Sequence, residues 1–364
     1  MVDRRLFMYL PSHLNPIVKL TEECNYCCNF CRYADHRQKD GGISVDTVCS
    51  VIQQCAEYNL QNGVQSMNII FHGGEPLLYG MDRFLEIMDF EERISDSGIT
   101  ISNSIQTNSS LIDDKWIDFF SQNRFSVGIS IDGPHGLNGH YASSASDAQS
   151  KAILSYKALK DQSVACGILS VITEKHLDCP EVFFDFLVIN NIMSVGLCYC
   201  FNSADDKNVN PIHLGYYLIE LYKLYFNSTK RINIREFDMA TRLILNRPRN
   251  ECAMSCRKSC GTFLSVRPDG CVEFCDDYNL NREGTLGNIN EYVLTELLRA
   301  DTYQKMKRQA VAIVENKCKN CSVYNICQSG CMRSDIGDSN YFCETYKILY
   351  PFIQKTVEEY LNFK

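Results

Sequence analysis

No stretch of this 364-residue chain approaches the ~20 consecutive apolar residues that a bilayer-spanning helix needs. The opening MVDRRLFMYLPSH lacks a long apolar core followed by a cleavage site, so no secretory signal is expected. Basic charge is not in excess: 36 Lys and Arg stand against 44 Asp and Glu, a net charge of -8. That disfavours a nucleic-acid binder, which displays a basic stripe. The one basic segment, Lys230, Arg231, Arg235, Arg242, Arg247 and Arg249, reads as a solvated face, with contact to an acidic peptide as the alternative. Internal repeats and low-complexity segments are absent too. What remains is a cytoplasmic globular protein, long enough for one large domain and a smaller one.

Cysteine, by contrast, is abundant at 20 residues. In a chain of this size, with CxxC-type spacings, metal ligation in a reducing compartment is the better reading than disulfides. One group is Cys24-x3-Cys28-x2-Cys31. The other runs Cys260-x9-Gly270-x4-Cys275, then Cys318-x2-Cys321-x5-Cys327-x3-Cys331, and later Cys343. Thiolates in threes or fours bind iron–sulfur clusters or zinc. A three-cysteine set leaves one iron of a four-iron cluster open to an outside ligand, which points to an enzyme. A structural zinc would need a fourth ligand, for which His36 is available. Cys27 sits beside Cys28, points differently and is a bystander. Cys49, Cys55, Cys166, Cys179, Cys198 and Cys200 read as small buried hydrophobes, the last two pointing the same way.

Residues 16–200 alternate β-like runs with amphipathic stretches. Strands are expected at Ile17–Leu20, Met67–Phe71, Thr100–Gln106, Ser126–Ile131, Gly167–Ile172 and Met193–Leu197. Helices are expected at Ser44–Gln61, Met81–Ser97, Asp113–Gln122, Ser146–Gln162, Pro180–Asn190 and Ile212–Phe226, with Ser44 and Asp113 as N-caps. Repeated β–α units imply an α/β fold with a parallel sheet. Six units fall short of the eight that close a full barrel, so a partial (β/α)6 TIM-like barrel is expected, with its chemistry at the C-terminal strand ends. Past about residue 236 the alternation fades and cysteines become dense. The division is therefore a barrel over 1–235 and a small cysteine-rich domain over 236–364.

CNYCCNFC, residues 24–31, resembles the CX3CX2C signature of radical S-adenosylmethionine (SAM) enzymes. The resemblance implies that Cys24, Cys28 and Cys31 hold a [4Fe-4S] cluster whose free iron is chelated by SAM. SAM cleavage would then yield a 5′-deoxyadenosyl radical that abstracts a substrate hydrogen, the cofactor carrying the chemistry and the protein aiming it. Three further segments fit at successive strand ends. Gly73-Gly74-Glu75-Pro76 resembles the GGEP motif that meets the SAM ammonium. Gln106-Thr107-Asn108 ends the third strand and Ser130-Ile131-Asp132-Gly133-Pro134 the fourth. By resemblance, Ser130 and Asp132 face the ribose and carboxylate of SAM, and Phe30 contacts the adenine region. Taken singly, each polar residue would be an ordinary turn or cap. One departure stands out: residues 135–143 contain no Arg where relatives place one, and His140 is the available substitute.

The C-terminal spacing resembles the seven-cysteine SPASM extension of peptide-modifying radical SAM enzymes. It implies two auxiliary [4Fe-4S] clusters. Cys318, Cys321, Cys327 and Cys343 would hold the outer one. Cys260, Cys275 and Cys331 would hold the inner one, with Cys252 and Cys256 competing for its fourth place and Cys256 preferred. Cys271 is expected to be unligated. Relatives that oxidise a Cys or Ser side chain carry a proton-accepting Asp after the ligand here called Cys275, which is Asp276 in this chain. A carboxylate in a shielded cavity suits general-base work, while an Asp opening a turn is the plainer alternative.

The main expectation is a radical SAM oxidoreductase that cross-links residues of a ribosomally made precursor peptide (RiPP), by a cyclophane carbon–carbon bond or a thioether. It rests on FHGGEPLL and on Ile234-Arg235-Glu236-Phe237. Leader contact would come from the barrel rim or the basic segment, and electrons from a flavodoxin or ferredoxin. The alternative is sulfatase-maturase-like oxidation of Cys or Ser to formylglycine. A non-catalytic electron carrier would leave GGEP, QTN and SIDGP without a role, and a zinc-stabilised interaction protein is a further class.

Overall fold

The computed structural model describes residues 9–28, 30–31, 41–139, 145–201, 208–247, 257–276 and 284–362. Six strands alternate with six helices: β1 (Ile17–Thr21), α1 (Val45–Gln61), β2 (Ser66–Gly73), α2 (Met81–Ser95), β3 (Thr100–Thr107), α3 (Asp114–Gln122), β4 (Ser126–Ser130), α4 (Ala145–Asp161), β5 (Ala165–Ile172), α5 (Pro180–Ile189), β6 (Ser194–Tyr199) and α6 (Pro211–Asn227). All six strands are parallel neighbours in chain order, as right-handed β–α–β crossovers dictate.

Local chemistry places the helix starts. Ser44 Oγ accepts from Thr47 N at 3.1 Å, and Asp113 Oδ1 accepts from Trp116 N at 3.0 Å. These bonds satisfy amide groups that would otherwise be orphaned at the first turn. Pro180 and Pro211 open α5 and α6, where a missing N–H costs nothing.

Strand alternation decides which face meets which layer. In β2, Met67, Ile69 and Phe71 are buried under the helices, whereas Asn68, Ile70 and His72 are half-buried on the other face. Outside the barrel, Phe84 of α2 meets Phe71 edge-on at 5.4 Å and Trp116 of α3 edge-on at 5.4 Å. Inside, small residues line the wall. Ser104, Gly128, Gly167, Ser194 and Gly196, with Gln106, border a cavity of about 490 Å³.

The sheet is longer than the six expected strands. At one edge β7 (Asn233–Ile234) adds in parallel to β6, and α7 (Arg235–Ile244) follows it directly. At the other edge β8 (Ser265–Val266) pairs in parallel with β1, then β9 (Cys271–Glu273) and β10 (Thr285–Asn288) continue antiparallel. The order β10-β9-β8-β1-β2-β3-β4-β5-β6-β7 leaves the barrel open. The cysteine-rich segment therefore continues the barrel's own sheet next to β1, the strand that precedes Cys24. Helices α8 (Leu294–Arg299), α9 (Asp301–Ile313) and α10 (Tyr324–Cys327), the small hairpin β11 (Asp335–Ile336) and β12 (Ser339–Asn340), and α11 (Cys343–Asn362) complete the chain. Gly215 of α6 makes room for Ile348 of α11: a Cβ there would lie 3.0 Å from Ile348 Cβ. Among the described residues no helix is long and apolar enough to cross a membrane.

Candidate active site

The three cysteines of the first group follow β1 at the C-terminal rim of the barrel. Tyr26 N–H donates to Cys24 Sγ at 3.4 Å, and Asn108 Nδ2 reaches the same sulfur at 3.9 Å. Burial pushes the Cys24 thiol up to about 11, opposed by the Tyr26 N–H; the charges of Glu75, Cys28 and Cys31 raise it further. Three thiols and a carboxylate thus share one electrostatic site, whose mutual repulsion bound iron would relieve. His36, the alternative zinc ligand, lies outside the described residues, as does His140.

Both glycines of the second motif are required by close approach. Gly73 has φ +134°. A Cβ on it would meet Thr21 O at 2.3 Å, and one on Gly74 would meet Glu23 O at 2.1 Å. The segment is stitched to the cysteine loop by Gly74 N–H to Thr21 O at 2.8 Å and Glu75 N–H to Glu23 O at 2.7 Å. Glu75 is wholly buried. Its Oε1 accepts from Thr107 Oγ1 at 2.7 Å and Leu77 N at 3.1 Å, and its Oε2 from Asn108 N at 2.8 Å. Burial raises its carboxyl to about 7 against those three donors. Pro76 then opens a short 3-10 turn, Pro76–Tyr79. A buried carboxylate beside three thiols fits an ammonium-bearing ligand chelated to an iron cluster.

The remaining rim residues divide. Gln106 Nε2 donates to Ser130 Oγ at 2.9 Å, and its side chain lies over Gly128, where a Cβ would meet Oε1 at 2.1 Å. Asn108 Nδ2 also donates to Asn25 Oδ1 at 2.8 Å, tying β3 to the cysteine loop. Phe30 packs on Gly139, where a Cβ would lie 2.4 Å from its ring. Asp132 is fully buried, and its two oxygens accept from Val171 N and Gly139 N, each at 2.8 Å. Buried His176 takes the Asp132 carbonyl at 2.9 Å through Nε2. Asp132 accordingly braces the loop after β4, and Ser130 is the half-buried polar group of that segment.

Asp276 comes next to β1 through the β8–β9 pairing. Its Oδ1 lies 2.8 Å from Lys19 Nζ and accepts from Ser265 Oγ at 3.3 Å. Lys19 also faces Glu273 Oε2 at 3.5 Å, and Arg267 links Glu273 at 3.6 Å to Glu22 at 3.1 Å. Sequence reasoning missed Lys19, because it sits in a five-residue strand that reads as apolar and its partners lie more than 250 positions away.

Cys318, Cys321, Cys327 and Cys343 line a single cavity of about 830 Å³. Burial pushes the Cys327 thiol up to about 12, and the other three thiols act on it directly. Cys260 and Cys331 converge on buried Arg257, whose guanidinium grips Asp335 at 2.6 and 2.7 Å. Cys275 stands two residues past β9. Cys252 and Cys256 lie outside the described residues. Cys271 is half-buried, with Asn288 Nδ2 3.9 Å from its sulfur. Among the described residues no three His, Cys, Asp or Glu side chains come close enough to hold a single metal ion.

The sequence profile described as the Radical SAM superfamily matches residues 18–146, and that of SPASM, an iron-sulfur cluster-binding domain, matches residues 256–322. The cysteine-type anaerobic sulfatase-maturating enzyme of Clostridium perfringens (strain 13 / Type A) is 29% identical over 352 residues, covering 90% of this chain and 93% of that protein. A solved structure of native anSMEcpe with bound AdoMet and Cp18Cys peptide superposes with a TM-score of 0.83 at 24% identity, over 96% of this chain and 99% of the other. SuiB of Streptococcus suis bound to its precursor peptide SuiA gives 0.65 at 18% identity, over 92% and 76%.

These similarities overturn the expectation of RiPP cross-linking. The likeness to the maturase runs nearly end to end in both chains, whereas SuiB is matched over three-quarters of its length at a lower TM-score. FHGGEPLL and Ile234–Phe237 line the rim and edge of a barrel common to both folds, so they carry no information about the bond made. Cyclophane and thioether formation are withdrawn.

Proposed function

We propose, from the premise that this chain is a radical SAM enzyme carrying an iron–sulfur-binding SPASM domain, that it oxidises a cysteine side chain of a sulfatase polypeptide to formylglycine. The observation that carries the proposal is the similarity to a cysteine-type sulfatase maturase over 90% of this chain and 93% of that protein. On this reading Cys24, Cys28 and Cys31 hold the SAM-binding cluster, and Gly73, Gly74, Glu75, Pro76, Gln106, Asn108, Ser130 and Phe30 form the SAM pocket. Cys318, Cys321, Cys327 and Cys343 hold the outer auxiliary cluster, and Cys260, Cys275 and Cys331 with Cys256 the inner one.

When bound, SAM and its cluster would supply the hydrogen-abstracting radical, and clusters held by the C-terminal cysteines would serve as acceptor for the second electron. The chain's own work is binding, aiming and proton transfer. Asp276 takes the substrate thiol proton as the carbon–sulfur double bond forms. Its Oδ1 is held by Lys19 Nζ at 2.8 Å. Water then converts the thioaldehyde to the aldehyde with release of hydrogen sulfide. A flavodoxin or ferredoxin supplies the reducing electron.

The test is anaerobic incubation of the cluster-loaded enzyme with SAM, a reductant and a peptide spanning a sulfatase's active-site cysteine. Mass spectrometry should find CH2SH replaced by CHO, with one 5′-deoxyadenosine per turnover. Formation of 5′-deoxyadenosine without aldehyde on either the Cys peptide or its Ser counterpart would overturn the reading.

A further inference from the structure

Lys19 is an inward-facing lysine in a strand otherwise made of Ile, Val, Leu and Thr, with only 4% of its surface exposed. An ammonium buried to this degree is costly unless it is paired, and it meets two carboxylates. Glu273, with a side chain 1% exposed, lies 3.5 Å away, and Asp276, 18% exposed, lies 2.8 Å away. Glu273 is thus the shielded partner and Asp276 the one nearer open space. Backbone geometry holds all three together. Lys19 sits opposite His72 of β2, Ile17 pairs with Ser265 of β8, and Ser265 pairs with Glu273 of β9. The contacts from Lys19 Nζ and Ser265 Oγ both fall on Asp276 Oδ1.

We propose that Lys19 is a positioning residue for the reaction: its ammonium anchors Asp276 by Oδ1 and fixes the carboxylate in the orientation that receives the substrate proton. This rests on the formylglycine reading and on Asp276 as the proton acceptor. Asp276 follows β9 and Cys275, beyond the last β9 residue. The Lys19 contact ties it to a strand of the barrel. β1 suits the task because it also leads into the Cys24 loop, so one strand sets the base and the radical source in a common frame. Misplacing a reacting group by about 1 Å costs up to ~100-fold, and Lys19 guards against that loss.

Lys19→Met, Lys19→Arg and the double variant Lys19→Met/Glu273→Gln separate anchoring from mere neutralisation of Glu273. Each is loaded anaerobically and assayed with the sulfatase Cys peptide for iron content, peptide KM and aldehyde formed per 5′-deoxyadenosine. The expected result for Lys19→Met is normal iron and SAM cleavage, a peptide KM within about twofold of wild type, and an aldehyde ratio lowered about 10- to 100-fold. Lys19→Arg should restore most of the ratio, since a guanidinium can still grip Oδ1. The double variant, which removes the Glu273 charge together with that of Lys19, should keep the low ratio, and it takes the place of Lys19→Met should that variant not fold. A wild-type ratio in either Met-bearing variant overturns the inference while leaving the formylglycine reading intact. No aldehyde from the wild-type enzyme overturns both.

Discussion

Gly74 stands so close to Glu23 that a Cβ on it would meet the Glu23 carbonyl oxygen at 2.1 Å. Real Cβ contacts do not fall below about 3 Å, so any side chain at this position forces the strand-end segment and the cysteine loop apart. The contact is backbone against backbone, and no flexible side chain can yield.

Gly74→Ala should therefore uncouple the GGEP segment from the loop that carries Cys24. SAM cleavage is expected to fall by about 100-fold or more, with iron reduced by about the share of one cluster in three. The distant Cys318–Cys343 cavity should be untouched. Iron analysis together with 5′-deoxyadenosine assay checks this, and undiminished SAM cleavage would contradict the close-packing argument.

Glu75→Gln probes charge at fixed shape. The Thr107 hydroxyl and Leu77 amide can still donate to the amide oxygen, but the new NH2 then faces the Asn108 N–H, a donor opposed to a donor. Charge-assisted bonds are worth roughly 1.5–3 kcal/mol. The SAM dissociation constant, measured by equilibrium binding to the cluster-loaded enzyme, should rise about 10- to 100-fold. Thr107→Val, which removes one neutral donor to the same carboxylate, should raise it by less than tenfold.

Much of the barrel was legible because its elements are long and locally consistent. Ser44 and Asp113 cap the helices expected of them, and each of the six strands matches its expected span to within about two residues at either end. β7 was not legible: two residues, Asn233 and Ile234, carry no alternation to read. β8 and β9 escaped for the same reason, and the pairing of β8 with β1 joins residues about 250 positions apart. That pairing brings Asp276 to Lys19, so the ion pair was invisible too. The cysteine groups stood out in the sequence by their local spacing, and their division into ligand sets rests on the family resemblance. Reaction type did not stand out. FHGGEPLL is a short segment at one strand end, whereas the likeness that separates the two reactions is spread thinly along the whole chain.

Glu91 offers a test of stability away from the clusters. Its carboxylate is buried between α2 and β3, where Oε2 accepts from Asn103 Nδ2 at 2.7 Å. Among the described residues neither Glu91 Oε1 nor Asn103 Oδ1 has a hydrogen-bond partner. Burial raises the carboxyl to about 7, opposed only by the Asn103 bond. The folded chain thus holds this proton more tightly than the unfolded chain does, whose Glu titrates near 4.5. Stability from this group is complete below about pH 4.5 and is lost as pH rises through about 7. Above pH 7 the buried charge costs on the order of 3 kcal/mol. Glu91→Gln is neutral throughout and can donate to Asn103 Oδ1. Anaerobic denaturant unfolding should find the variant more stable than wild type at pH 8.5, with the gap narrowing by pH 6. Parallel curves across that range would mean that Glu91 is already solvated as a carboxylate in the folded chain.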